Sequence, residues 1–213
     1  MPDNPRDTTR SHRHRKSKNG ESTPQQRSRG RLTALVTYAL LLALCLPIGT
    51  LWHEVVGHGL VGTLAGGRIT HVEVLGLDLW PQPRWIGWQG HYGWCDVEGI
   101  AGQTGQHLMA LAGSLSTWLV AAAATIALYA RRWRAWLTPV LVCLSLWWID
   151  LFTYTLPTWG IRRSILWGQV YSEPYEAAVQ LGIPGTLFQV FVVSTSALLA
   201  AALAIRLTRR SPG

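Results

Sequence analysis

Polar and apolar residues are segregated along this chain. Residues 1–31 are rich in Ser, Arg, Pro, Gln and Asn. Such a segment cannot bury enough apolar surface to offset the entropy of ordering it, so it is expected to be a disordered tail. From Leu32 the character reverses. Four apolar runs follow, at about 32–65, 104–130, 136–158 and 184–205. Each has the length that a helix rising ~1.5 Å per residue needs to cross ~30 Å of hydrocarbon. The first is too long for one straight crossing, and Pro47 and Gly49 predict a kink or break inside it.

Between the first two runs the periodicity changes. Gly66 and Gly67 end the helical pattern, and residues 69–75 alternate with β-branched side chains, which reads as a strand. Residues 80–99, dense in Trp, Gly and Pro, predict a small β-hairpin or re-entrant loop. The fold class expected is therefore an all-α membrane protein of about four transmembrane helices with a small β insertion. Residues 32–206 form its membrane domain and 207–213 a short basic tail.

Charge sharpens the picture. The chain of 213 residues carries 19 Lys and Arg against 11 Asp and Glu. Nine of the basic residues and three of the acids fall in 1–31. This tail has no aromatic residue to stack on a base and no nucleic-acid fold signature follows it, so nucleic acid is not an expected partner. Beside a span, clustered Lys and Arg mark the cytoplasmic side and touch anionic lipid. Membrane lipid is thus an expected partner. Placing the tail, the basic loop at 131–134 and Arg206, Arg209 and Arg210 in the cytoplasm gives four crossings, with both termini cytoplasmic. Arg162 and Arg163, in the predicted outer segment 159–183, are exceptions. Cys45, Cys95 and Cys143 form no CxxC pair and indicate neither a disulfide framework nor a cysteine zinc site.

The clear acids within the apolar runs are Glu54 and Asp150. An ionisable group costs at least ~2.5 kcal/mol at the centre of a membrane helix, so it is usually paired or functional. The plainer alternative puts Glu54 at the water interface and has Asp150 cap or pair locally. Residues 52–59 read Trp-His-Glu-Val-Val-Gly-His-Gly. This is similar to the zincin motif H-E-x-x-H, whose histidines at i and i+4 bind zinc while the Glu serves as general base. Here the spacing is one residue longer. On a regular α-helix His53 and His58 would point ~140° apart, at 3.6 residues per turn. A π-bulge absorbs one extra residue and restores the shared face. The sequence thus predicts a helical irregularity near 54–58, eased by Gly57.

The series His53-Glu54, Gly57-His58, Gly66-Gly67-Arg68 and the strand at 69–75 resembles the site-2 protease family of intramembrane zinc peptidases. Ala112-Gly113-Ser114-Leu115 looks like that family's A-G-P-L-A-N turn, and Asp150 stands where a later helix supplies an Asp ligand. A local resemblance to the H-E-x-x-G-H-G-L segment of soluble TldD-like peptidases covers His53 to Leu60. The wider resemblance implies a Zn²⁺ held by His53, His58 and Asp150, with Glu54 as catalytic base. His107, at a similar depth, is the alternative third ligand. It also implies a membrane-embedded or membrane-proximal peptide substrate, which could add as a strand beside Ile69, His71 and Glu73. With the small size of the chain, it implies a prokaryotic cytoplasmic membrane. Asp96, Glu98, Glu173 and Glu176 read as solvated outer-loop acids. Two other readings stay open: a catalytically inactive relative acting as a membrane scaffold or binding protein, and a small transporter or channel subunit lined by Glu54 and Asp150.

Overall fold

The computed structural model describes residues 24–130, 133, 134, 136–163 and 171–209. The chain divides into Met1–Val36 and Thr37–Gly213. Among the described residues, the first unit holds only the opening turns of helix α1 (Pro24–Trp52). That helix begins before Leu32, where the sequence pattern predicted disorder through residue 31. Gln25, Gln26 and Arg27 are good helix formers, and they continue the ladder into the polar segment. Residues 1–23 and Arg131, Arg132, Trp167 and Arg210 lie outside the described residues.

Helix α1 runs through Pro47 and Gly49 without the predicted break. Gly49 instead makes room for an aromatic neighbour. A Cβ there would lie 3.2 Å from the Trp147 ring, whose Nε1–H donates to Cys45 Sγ at 2.8 Å. The departure from α geometry comes at a π-helical segment, His53–Leu60, continued by the short helix α2 (Val61–Leu64). The predicted irregularity is thus present, and it spans the whole motif.

After Gly66-Gly67 the chain forms four strands: β1 (Arg68–Val74), β2 (Leu77–Trp80), β3 (Arg84–Trp85) and β4 (Gly93–Glu98). They make one antiparallel sheet of order β3-β2-β1-β4, larger than the hairpin predicted. Leu75 (φ 53°) and Gly76 (φ 79°) form the two-residue β1–β2 turn. Positive φ at both positions gives the turn the twist that a tight hairpin needs.

Helix α3 (Gly102–Ala130) returns from the sheet. The third apolar run is split into α4 (Leu137–Ser145), α5 (Trp148–Thr155) and a 3₁₀ turn, Leu156–Trp159. At the α4–α5 join the backbone tightens to i→i−3 bonds, Trp147 N–H donating to Leu144 O and Asp150 N–H to Trp147 O. Helix α6 (Glu173–Gln180) is short, and α7 (Gly185–Thr208) closes the fold. Four helical stretches are long and apolar enough to cross a membrane: Leu35–Leu64, Gly102–Ala130, Leu137–Trp159 and Gly185–Thr208.

Two apolar clusters hold the second unit together. Leu151, Ala178, Phe188 and Val192 tie α5, α6 and α7, with Leu111 and Trp118 of α3 against them. Leu128, Val142 and Leu203 join α3, α4 and α7 at the other end, covered by Tyr38 of α1. The buried hydroxyls of Thr125, Ser145 and Thr155 each donate to the carbonyl four residues back, so they enter this interior satisfied.

Candidate metal centre

In an i→i+5 ladder, residues five apart stack one turn above each other. The π segment therefore puts His53 and His58 on one face, as an α-helix could not. Both are buried, each with 5% of its surface exposed. Their Nε2 atoms lie 3.1 Å apart.

The other nitrogen of each ring is engaged. His53 Nδ1 donates to Asp150 Oδ2 at 2.7 Å, and His58 Nδ1 donates to the Met109 carbonyl at 2.9 Å. An ionised carboxylate and a backbone carbonyl only accept, so both Nδ1 atoms carry hydrogen. A neutral ring protonated at Nδ1 presents a bare lone pair at Nε2. Two such lone pairs facing each other repel unless a proton or a cation lies between them.

Asp150 is held from two further sides. The Thr117 hydroxyl donates to Oδ2 at 2.9 Å, and Arg163 Nη2 donates to Oδ1 at 3.2 Å. The Arg163 guanidinium also lies over the Tyr154 ring, 3.1 Å from its centroid. The other partner of Tyr154 is His53, stacked at 5.6 Å between centroids and 14° between planes. Arg163 offsets the charge of Asp150 locally, so the carboxylate does not require a cationic His53.

Glycines shape the space. Gly57 of the π segment meets α3 so closely that a Cβ would strike the Gly113 backbone. Gly113 in turn leaves room for the rings, because a Cβ there would sit 2.5 Å from the Nε2 of both His53 and His58. This is the part played by the Ala112-Gly113-Ser114-Leu115 stretch, which lies within a continuous helix. Glu54 is also buried, and a Cβ at Gly93 of β4 would collide with its Oε1. Among the described residues, none hydrogen-bonds to the Glu54 carboxylate.

The predicted site residues are thus gathered in part. His53 lies between His58 and Asp150, with Glu54 next to it in sequence, but among the described residues no three His, Cys, Asp or Glu side chains are placed to hold a metal ion. Asp150 does not stand beside the two Nε2 atoms as a third ligand would. It reaches His53 from the opposite edge of the ring. His107 lies on α3 without a hydrogen bond or ion pair to either histidine. Glu73 is not available to a substrate strand, because β1 is paired there on both sides, with Asp78 and with Trp94. The Glu73 side chain is buried and faces His91 Nε2 at 3.2 Å. His71 is engaged by Asp78 at 3.2 Å and Asp96 at 3.6 Å. Only Arg68–His71 lack a partner on the β2 side. There a groove of about 470 Å³ opens, lined by Leu51, Val55, Ile69, Val72 and Trp80 among others.

Glu173 is the residue that the sequence reading missed. Its Oε2 lies 3.8 Å from His58 Nε2. No spacing links it to the motif. The only signal was Ser172-Glu173-Pro174, a helix start within an otherwise irregular segment.

Protein-family models, curated proteins and solved structures yield no match to this chain.

Proposed function

We propose that this protein is an integral membrane zinc peptidase of the site-2 protease type. The membrane part rests on where the apolar side chains face. Leu40, Ile126, Val190 and Leu198, on three of the four long helical stretches, are 61–69% exposed, and Ile149 on the fourth is 43% exposed. Apolar surface on this scale needs a covering phase, and lipid suits four helices of this length. Exposed Trp80, Trp85 and Trp94 on the sheet, and Trp88 in the β3–β4 loop, suit the headgroup region. With Arg134, Arg206 and Arg209 cytoplasmic, the sheet and α6 face the other side.

The metal reading is carried by one observation: both Nδ1 atoms are committed as donors while the two Nε2 lone pairs face each other at 3.1 Å. Tetrahedral zinc with Zn–N of 2.0–2.1 Å holds its ligand atoms roughly 3.3 Å apart, so this gap suits a pair sharing one ion. The carboxylate and the carbonyl on Nδ1 fix the tautomers and raise ligand basicity, as outer partners of metal-bound histidines do. Zinc, when bound, supplies Lewis-acid activation of water and of a carbonyl group.

The chain's own residues do the rest. Glu54 takes a proton from the attacking water and returns it to the leaving amine nitrogen. Asp150, fixed by Thr117 and Arg163, keeps the His53 ring in one tautomer and orientation. The groove beside Arg68–His71 accepts an extended peptide segment, whose backbone pairs with the unpartnered edge of β1. A helical substrate hides its peptide bonds, and such pairing would expose them.

A second, metal-free reading places a shared proton between the imidazoles, with no hydrolysis. Elemental analysis of detergent-purified protein separates the two. About one zinc per chain, lost in His53→Ala and His58→Ala, is expected. Cleavage of a membrane peptide should be lost in Glu54→Gln with zinc retained. A wild type that takes up no zinc on reconstitution refutes the peptidase reading.

A further inference from the structure

We infer that the cytoplasmic ends of α3 and α7 form a binding site for one anionic phospholipid. This rests on the membrane reading above and not on the metal. A second groove, of about 610 Å³, lies between these two helices, with Ile126 and Tyr129 of α3 on one wall and Leu198, Leu199 and Ala202 of α7 on the other. That volume falls within the range of small-ligand sites, about 300–1,000 Å³. Its walls have little to offer a polar ligand. The Tyr129 hydroxyl is spent on the Ala202 carbonyl at 2.6 Å, and that of Thr125 on the Ala121 carbonyl at 2.8 Å. Hydrocarbon is what such walls can hold.

The end of the groove supplies the charge. Leu198, Ala202 and Arg206 follow one another at four-residue spacing, so they form one row along α7, about 12 Å from first to last. Arg206 stands in the last turn of α7, its guanidinium carbon 5.8 Å from the centroid of the Tyr129 ring. Its Nε–H is buried and, among the described residues, has no hydrogen-bond partner. Among the same residues neither Arg206 nor Arg209 meets a carboxylate, whereas Arg84 and Arg163 both do. A buried donor left unpaired is costly, and the planar guanidinium fork fits the oxygens of a phosphate. A phospholipid answers both needs, with an acyl chain for the groove and a phosphate for Arg206. Basic pockets between membrane helices on the cytoplasmic side hold anionic headgroups in this way. The plainer alternative is that Arg206 only complements the carbonyl end of α7, and that the groove takes lipid without regard to charge.

Native mass spectrometry tests this on the full chain, delipidated in detergent and offered equal amounts of phosphatidylglycerol and phosphatidylcholine with the same acyl chains. One phosphatidylglycerol per chain should stay bound, preferred by at least about fivefold, which is what one basic residue near the surface contributes. Arg206→Gln should lower that preference by about fivefold, and Arg206→Lys, which keeps the charge, should retain it. Ala202→Phe, which fills the groove, should lower retention of both lipids. Glycerol phosphate, a headgroup without chains, should not compete. Equal retention of the two lipids, an unchanged preference in Arg206→Gln, its loss in Arg206→Lys or full retention in Ala202→Phe would each overturn the assignment. So would displacement of the lipid by glycerol phosphate or by a second copy of the chain. A wild type that stays dispersed without detergent would instead remove the membrane reading itself.

Discussion

Replacing Gly113 by Ala is the smallest change that separates the histidine pair from the fold around it. The added Cβ would sit 2.5 Å from both Nε2 atoms and 2.6 Å from His58 Cε1. Ordinary contact between such atoms is about 3.5 Å, so each ring must retreat by roughly 1 Å or the helices must part. Metal sites tolerate ligand displacements of about 0.2 Å. The backbone effect runs the other way. Ala favours a helix interior over Gly by about 1 kcal/mol, against an overpacking cost of about 1–3 kcal/mol. Stability without metal should therefore change by at most about 2 kcal/mol, while zinc affinity falls by more than about 100-fold. Chelator competition reads the affinity, and thermal unfolding in detergent with and without zinc reads the stability. Gly113→Ala protein that binds zinc as tightly as wild type would refute the geometry of the pair.

Three further outcomes follow from the same contacts. Gly57→Ala drives a Cβ into the Gly113 backbone, which cannot rotate away, so thermal unfolding without metal should show a loss of at least about 1–3 kcal/mol. Gly93→Ala collides with the Glu54 carboxylate; zinc content should be unchanged while peptide cleavage falls by about 10²–10⁴, the usual contribution of a general base. Burial pushes the Cys95 thiol up to about 12, with Glu54 and Asp96 adding to the rise. At pH 8 only about one thiol in ten thousand is then ionised, so Cys95 should resist iodoacetamide until the protein is unfolded; rapid labelling of folded protein would count against that placement.

The sequence conveyed the four helical stretches long and apolar enough to cross a membrane because each is a long apolar run, a signal that does not depend on context. It conveyed the π segment for a different reason. The five-residue spacing of His53 and His58 conflicts with α geometry, and only a local change of pitch brings the two rings together. Pro47 does not break α1, which continues to Trp52 with Trp147 packed at Gly49. The Asp150 position was legible as a charge in an apolar run, but its side of the His53 ring is set by Thr117 and Arg163, which no pattern ties to it. Glu173 was illegible for the same reason. Its place is fixed by Ala178 against Leu151 and Phe188, contacts made only when four helices have packed.

His53 and its carboxylate partner are 97 residues apart. During synthesis the motif leaves the ribosome long before Asp150 exists to steer its ring. For that interval His53 lacks its carboxylate, although Met109, whose carbonyl holds His58, is only 51 residues on from it. If the pair holds zinc as proposed, loading belongs after the later helices have joined, and a chain stalled before residue 150 should hold zinc no better than an exposed histidine peptide. Capture of zinc by such a stalled chain at full affinity would show that the motif segment alone dictates the site.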